Sequence, residues 1–368
     1  MLKRGRASLL LLCFLLLVFS IFCWGTGCSP GTPKKELQAP AEKEAVKVVA
    51  TIFPLADIAR QIGGEGTKVT ALLTPGASPH TYEPTVEQAK AVAEADLLIF
   101  IGAGLDDWAA KLALSAEHLL LLEITAHLKG ELLKYDPALQ QQLSENGNPS
   151  TESHNEFDGR HEHQEDEEDG YEEHHEHEDS EEDQGLSKEH PHHYHHSEID
   201  PHIWLDPVLV KDSIAPLISA KLKEISPQKA DFFDENLRSF QQKLSALDEE
   251  IRELTASFTQ RRFISLHSAW NYFARRYNLE EAASVMEFPG KEPSAGWIAE
   301  LVELAERENI RVVFAEPQLG SKAAQIIAGE IGGKVLLLDP LGGEGLPGRE
   351  SYLELMRYNV KILQEALK

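Results

Sequence analysis

The run from Thr151 to Ser197 constrains this chain most, because it mixes histidine and acidic side chains with hardly any apolar ones. A segment with so little to bury cannot form a hydrophobic core, so we expect residues 150–198 to be a disordered loop. Directly after it, DPHIWLDP (residues 200–207) returns to the apolar, proline-bounded pattern of folded chain. The fold must therefore be built from the segments on either side of the loop.

The loop is also rich in potential metal ligands. Imidazole and carboxylate groups bind divalent metal ions, and here they stand close together along the chain. We interpret the loop as an auxiliary segment for weak, multi-site metal capture; an inert, solvated charge run is the alternative. Its eleven histidines are His154, His161, His163, His174, His175, His177, His190, His192, His193, His195 and His196.

The charge of the chain is concentrated in the same region. The formal net charge is −26, and residues 152–200 hold 20 acidic side chains against two basic ones. The rest of the chain is only mildly acidic and shows no basic cluster that would neutralise phosphates. We therefore expect no nucleic-acid partner.

The N-terminus has the pattern of an export signal. Basic residues precede a long apolar run, and small residues then lead to Cys28. The spacing resembles a bacterial lipoprotein signal, although Gly25 stands where that pattern usually has leucine; a plain signal peptide or an anchor helix is the alternative. We expect a signal peptide at 1–27, lipidation of Cys28 and a flexible tether at 28–45. The protein would then be exported and lipid-anchored to the outer face of the membrane, extracellular or periplasmic.

Strand and helix patterns alternate on both sides of the loop. Short apolar strands separated by amphipathic helices predict an α/β fold, with parallel sheets covered on both faces. We predict an N-terminal lobe at 46–207, a connecting helical region at 208–260 and a C-terminal lobe at 261–368. A long rigid linker helix at 227–258 would join the two lobes, because the helical pattern there continues almost without a breaker.

Four residues are candidate metal ligands: His80, His202, His267 and Asp339. At least three of them follow predicted strands, and ligand sites in α/β sheets lie outside the carboxyl ends of the strands. If the lobes face each other, these side chains meet in the interlobe cleft. Three imidazoles and one carboxylate would complete a tetrahedral shell for one tightly bound Zn²⁺. Asp339 also has a structural alternative, since aspartate before proline is common in turns.

Several motifs together resemble a known family. They are PGASPHTYEPT, DPHIWLDP, SLHSAWNYFARRYNL, EPSAGWIAELVE, VFAEPQ and LLLDPLG. With them, residues 46–368, apart from the loop, resemble the metal-binding solute-binding proteins of ABC transporters, in the cluster A-I or TroA-like family, and among these the zinc-uptake (ZnuA-like) type. The resemblance implies a monomer that captures Zn²⁺ outside the cytoplasm and delivers it to a membrane ABC permease with its cytoplasmic ATPase.

The same resemblance implies the ligand positions. His80 matches the ligand of the PH-x-YEP motif, His202 that of DPH-x-W, His267 that of LH-x-AW and Asp339 that of LDPLG. Manganese members of the family resemble this chain but have a carboxylate at the position of His267. A nitrogen ligand there favours zinc over manganese.

Other functions are compatible with parts of this pattern. A surface adhesin or a metal buffer could share the fold, and a manganese-type binding protein or a zinc-dependent hydrolase is less consistent with the motifs. We do not expect the protein to be an enzyme. The chain has no HExxH spacing and no GxSxG motif, and four protein ligands would leave the metal without the open position that catalysis needs. Glu83 and Glu316 are motif carboxylates for which a supporting role is at least as plausible as ligation. We interpret His118 and His127 as structural.

Overall fold

Two four-stranded parallel sheets form the framework of the chain. The computed structural model describes residues 45–114, 116, 118–128, 130–134, 198–286 and 288–368. The predicted signal peptide, Cys28, nearly all of the tether and the eleven loop histidines lie outside the described residues. Residues 45–368 form one unit.

The strand order is β2-β1-β3-β4 in the N-terminal sheet and β6-β5-β7-β8 in the C-terminal sheet. All neighbouring strands pair in parallel. The strands are β1 (Val46–Ala50), β2 (Thr67–Ala71), β3 (Leu97–Phe100), β4 (Leu120–Glu123), β5 (Arg262–Ser265), β6 (Glu280–Ser284), β7 (Val312–Ala315) and β8 (Lys334–Leu337).

Helices cover these sheets and connect them. The α-helices are α1 (Phe53–Gly63), α2 (Val86–Ala93), α3 (Trp108–Ala113), α4 (Pro207–Leu209), α5 (Ala215–Ile225), α6 (Ala230–Ala256), α7 (Asn271–Arg276), α8 (Ala295–Arg307), α9 (Lys322–Glu330) and α10 (Tyr352–Leu367). None of the helices within the described ranges is both long and apolar enough to cross a lipid bilayer.

The central strands are apolar because both of their faces are covered. Every residue of β3 (LLIF) and of β7 (VVFA) is buried. In a parallel sheet with helices on both sides, such strands take continuous apolar sequences rather than alternating ones. The predicted fold class, two parallel α/β sheets with a long connecting helix, is confirmed.

The long helix α6 joins the two halves of the fold. It contacts α1, which follows β1 of the first sheet, and α10, which follows β8 of the second sheet. Its buried side chains recur every three to seven residues on one face, as an amphipathic helix requires. The apolar ones among them lie in one cluster that also contains Val48 of β1 and Phe314 of β7. A shared core of this kind makes the connection stiff. The lobe boundaries themselves stay predictions.

The segment between DPHIWLDP (residues 200–207) and α6 departs from a regular helix. A π-helical turn at Val210–Ile214 separates α4 from α5. Pro216 is the second residue of α5, and proline lacks the N–H that would bond to the carbonyl four residues earlier. The wider turn lets the chain pass this proline without losing its helical direction.

Candidate metal centre

Three histidines from distant parts of the chain meet at one point. His80 lies in the 3₁₀ turn Pro79–Thr81 after β2, His202 directly precedes the turn Ile203–Leu205, and His267 follows β5. Nε2 of His202 lies 3.4 Å from Nε2 of His80 and 3.2 Å from Nε2 of His267. One nitrogen from each ring falls within 4.8 Å of the other two, so the group could hold a metal ion.

The other nitrogen of His202 is bound to Asp200. Nδ1 donates to Oδ1 of this fully buried carboxylate over 2.8 Å, and the backbone N–H of His202 donates to the same oxygen. The DPHIWLDP motif is also fixed to α7 by an ion pair between Asp206 and Arg276. Nε of Arg276 lies 2.9 Å from Oδ2 and 3.0 Å from Oδ1 of Asp206, and its Nη2 lies 2.7 Å from Oδ2. The orientation of the His202 ring is therefore set by buried contacts.

His267 has the same arrangement with a different carboxylate. Its Nδ1 lies 2.6 Å from Glu316 Oε1, and both side chains are buried. Glu316 directly follows β7, which lies beside β5, at the position where the order of the C-terminal sheet reverses. Burial alone would lower the pKa of His267, but the charge and hydrogen bond of Glu316 raise it above its ordinary value.

His80 is positioned through the backbone of its turn. Trp108 Nε1 donates to the carbonyl oxygen of Pro79 over 3.2 Å, and the ring of Tyr82 packs on that indole with centroids 5.2 Å apart. Gln88, whose side chain also closes the capping box of α2, donates to the hydroxyl of Tyr82. Burial and then the charges of His202 and His267 hold the pKa of His80 well below its ordinary value, so this imidazole stays neutral and able to bind a metal.

The protonation pattern makes the three Nε2 atoms a cation site. A carboxylate only accepts hydrogen bonds, so Nδ1 of His202 and of His267 carries the proton. In the neutral rings both Nε2 atoms are then acceptors, and they face each other at 3.2 Å without a hydrogen between them. Two nitrogens bound to one tetrahedral zinc at about 2.0–2.1 Å would lie roughly 3.3–3.4 Å apart. The observed separations are close to that value.

Asp339 lies outside this histidine group and is fully buried. Its Oδ2 is 2.8 Å from Arg349 Nη1, and its Oδ1 accepts from Gln318 Nε2 over 2.8 Å and from the backbone amides of Leu341 and Gly342. Gly342 has a φ of +64°, and a Cβ there would approach the carbonyl oxygen of Arg349 to 2.7 Å. The turn that holds Asp339 thus depends on glycine.

The remaining sequence candidates are not part of the group. Glu83, His118 and His127 are exposed. Asp200 supports the site although it is not among the sequence candidates, and its place two residues before His202 in DPHIW is the one sequence signal for it. Glu316 stands in the VFAEPQ motif, and its position directly after the buried strand β7 marks it as a candidate for this edge of the sheet.

A small cavity adjoins the histidines. Its volume is about 10 Å³, and its lining includes His80, His202, Glu316 and Gln318. That is about the space that a single water molecule needs. Pockets for organic ligands usually have volumes of roughly 300–1,000 Å³, so this cavity suits an ion and its water rather than a larger substrate.

Comparison with known proteins gives a consistent result. The zinc-binding lipoprotein AdcA of Streptococcus pneumoniae is 27% identical over 323 residues, which cover 87% of this chain and 55% of AdcA. The zinc uptake protein ZnuA of Bacillus subtilis is 25% identical over 360 residues, covering 96% of this chain and 97% of ZnuA. The chain spans between 55% and 61% of the length of the streptococcal AdcA proteins that it matches.

Solved structures agree with the sequence relatives. Crystal structures of ZnuA and of a zinc-bound ZnuA deletion mutant are 27% identical to the chain and superpose with a TM-score of 0.65. They cover 88% of this chain, and the chain covers 99% or more of theirs. The family model described as "Zinc-uptake complex component A periplasmic" matches residues 48–366. The chain therefore belongs to the ZnuA family of zinc-uptake components.

Proposed function

We propose that this protein is an extracytoplasmic zinc-binding protein that captures Zn²⁺ and delivers it to an ABC permease with a cytoplasmic ATPase. One observation carries the proposal: Nε2 of His202 lies at the spacing of tetrahedral zinc ligands from Nε2 of both His80 and His267, and two of the three rings donate from Nδ1 to buried carboxylates. Zinc is the cargo, bound at one tight site by His80, His202 and His267. An all-nitrogen set from the protein favours zinc over manganese.

Asp339 as the fourth ligand stays a prediction. To bind the ion, its carboxylate would have to give up its bond to Arg349 or the bonds on its other oxygen. Asp339→Asn tests this role, because loss of a direct carboxylate ligand would weaken zinc binding about as strongly as loss of one histidine.

We do not propose an enzyme. A zinc hydrolase needs room for its substrate beside the metal and a positioned base. The cavity at the histidines has a volume of about 10 Å³, and the two carboxylates that contact the histidine rings, Asp200 and Glu316, are already bound to Nδ1 atoms of those rings. The zinc-loaded protein should release no product from ester, phosphate or peptide substrates; turnover would favour the hydrolase alternative.

The segments outside the described residues enter the proposal through their sequence alone. We propose that Cys28 carries the lipid anchor and that the histidine-rich loop collects zinc at weak, multiple sites. Deleting residues 152–197 should then abolish the weak sites and leave one tight site with unchanged affinity. Loss of the tight site in this deletion would contradict the role that we propose for the loop.

The direct test of function is zinc binding measured by calorimetry against a competing chelator. Wild-type protein should show one tight site above a background of weak ones, and His267→Ala should lose the tight site. His127→Ala is the matched control, since this histidine is exposed and lies outside the group. Only weak binding, the same in all three proteins, would overturn the proposal. A strain lacking the gene should also grow poorly when zinc is scarce and recover with added zinc.

A further inference from the structure

Gln318 lies where the Asp339 turn meets the histidine site. Its Nε2 donates to Asp339 Oδ1 over 2.8 Å. A carboxylate cannot donate a hydrogen bond, so the amide nitrogen, and not the amide oxygen, must face Asp339. Asp339 itself is held by Arg349 and by two backbone amides. The orientation of the Gln318 amide is therefore fixed by its neighbours.

This orientation leaves the amide oxygen of Gln318 as an acceptor of its own. Oε1 is buried, and no residue within the described part of the chain donates a hydrogen bond to it. A buried acceptor without a partner is unfavourable, and such atoms in native proteins usually have a partner in a ligand or an ordered water.

The cavity beside the histidines offers that partner. It is lined by Gln318 together with His80, His202 and Glu316, and its volume of about 10 Å³ suits one water. Zinc prefers four ligands in a tetrahedral shell, and three histidine nitrogens leave one position to fill.

We infer that Gln318 is a positioning residue for the fourth zinc ligand, a water molecule that binds the ion and donates a hydrogen bond to Gln318 Oε1. The inference rests on the proposed zinc site and excludes Asp339 as a direct ligand. In this arrangement Asp339 acts through Gln318, because it turns the amide so that the oxygen is available to the water. Arg349 holds Asp339 in turn.

The test compares two variants and a control. Gln318→Met keeps the length of the side chain but removes the acceptor, and we expect zinc affinity to fall roughly tenfold, the lower end of the effect of removing a group that supports a metal ligand. The d–d absorption spectrum of the Co²⁺-loaded protein should change as well, because it reports the fourth ligand. Gln325→Met is the control, since this exposed glutamine of α9 bonds only to Ser321 among the described residues.

Asp339→Asn separates the two roles. It retains an oxygen that can accept from Gln318 Nε2, so we expect a smaller loss of affinity than for Gln318→Met. An equal or greater loss would mean that Gln318 acts only through Asp339, or that Asp339 binds zinc itself, and either result overturns the inference.

A crystal structure of the zinc-loaded wild-type protein decides the matter even if Gln318→Met fails to fold. We expect an oxygen on the zinc ion that is not part of the protein and that lies about 2.7–3.0 Å from Gln318 Oε1. A carboxylate of Asp339 or Glu316 in that position overturns the inference, as does an unchanged affinity and Co²⁺ spectrum in Gln318→Met. In those cases zinc still binds the three histidines and the proposed function stands, whereas loss of tight zinc binding in the wild type would end both.

Discussion

Each of the two most deeply buried histidines of the site pairs its Nδ1 with a carboxylate. Asp200 holds His202, and Glu316 holds His267. The carboxylate fixes the tautomer and makes Nε2 a stronger electron donor, which is how supporting groups strengthen zinc sites. The strength of this site thus depends on residues that do not touch the ion.

Glu316→Gln tests this dependence. The amide keeps the size of the side chain but removes the charge and adds a donor group, so it no longer forces the proton of His267 onto Nδ1 or strengthens Nε2 as an electron donor. We expect zinc affinity to fall roughly 10–100-fold, measured by competition with a chelator. Glu303→Gln is the control, because Glu303 is exposed on α8. Equal affinities for the two variants would contradict the supporting role of Glu316.

Zinc binding should also depend on pH in a definite order. The pKa of His267 is raised and that of His80 is lowered, so acidification should protonate His267 first. A proton on Nε2 excludes the metal. We therefore expect zinc affinity to decrease as the pH falls through the pKa of His267, which NMR titration of the metal-free protein should place above about 6.5. A value below that would contradict the effect of Glu316.

At this scale the sequence predicted the ring positions better than their surroundings. His80, His202 and His267 stand in local motifs whose place after strands or in ordered loops can be recognised without a structure. The pairing of His267 with Glu316 joins residues 49 positions apart, and the bond of Asp339 to Arg349 depends on how the turn between them folds. Neither follows from spacing along the chain.

Among the elements, the turn that carries His80 depends on helix α3. Trp108 is the first residue of that helix and donates to the carbonyl of Pro79. The preceding loop is held by Asp106, which accepts from Thr51 Oγ1 and from the amides of Ile101 and Gly102. His80 is therefore positioned by the ends of β1 and β3 rather than by its own short turn.

Trp108→Phe should weaken zinc binding without unfolding the protein. Phenylalanine retains an aromatic ring for Tyr82 but cannot donate to Pro79, so the turn with His80 becomes less fixed. We expect a loss of affinity of roughly five- to tenfold, the size of one modest hydrogen bond, with little change in melting temperature. Trp297→Phe is the control, because its indole donates to Ser284 and Val285 instead. A large fall in melting temperature would instead indicate a structural role.

A strand can be recognised from the sequence where it is a continuous apolar run, and it is hard to recognise where small and acidic residues replace that run. The apolar runs of β3 and β7 identify them directly. Strand β6 has the sequence EEAAS, which lacks β-branched and aromatic residues, so its sequence alone does not indicate a strand. Its carboxylate Glu281 is buried and accepts from Ser265 and from the amide of Trp270, while burial raises its pKa to about 8. Pairing with β5 outweighs the weak local propensity.

For the whole molecule, one apolar cluster runs through both halves and along α6. We therefore expect the two sheets to unfold together in a single calorimetric transition. Leu247→Ala removes a fully buried side chain of α6 and should lower the free energy of unfolding by about 2–5 kcal/mol, while the exposed Gln242→Ala should have little effect. Bound zinc should raise the melting temperature, since it binds only the folded protein. Two separate transitions would contradict a shared core.

A stiff connection also limits how far the halves can move when metal binds. The His202 motif is tied to the C-terminal half by Arg276 and by Trp204, whose Nε1 donates to the carbonyl of Pro340 over 2.7 Å. We infer that the site is largely formed before zinc arrives, so that binding needs only small adjustments of the three rings.

Anomalous diffraction at the zinc edge, from crystals loaded with one equivalent of zinc, tests the central claim most directly. We predict one strong peak bonded to the Nε2 atoms of His80, His202 and His267, each at about 2.0–2.1 Å. A peak elsewhere, bonding through Nδ1, or an ion that leaves one of these rings unbound would contradict the account.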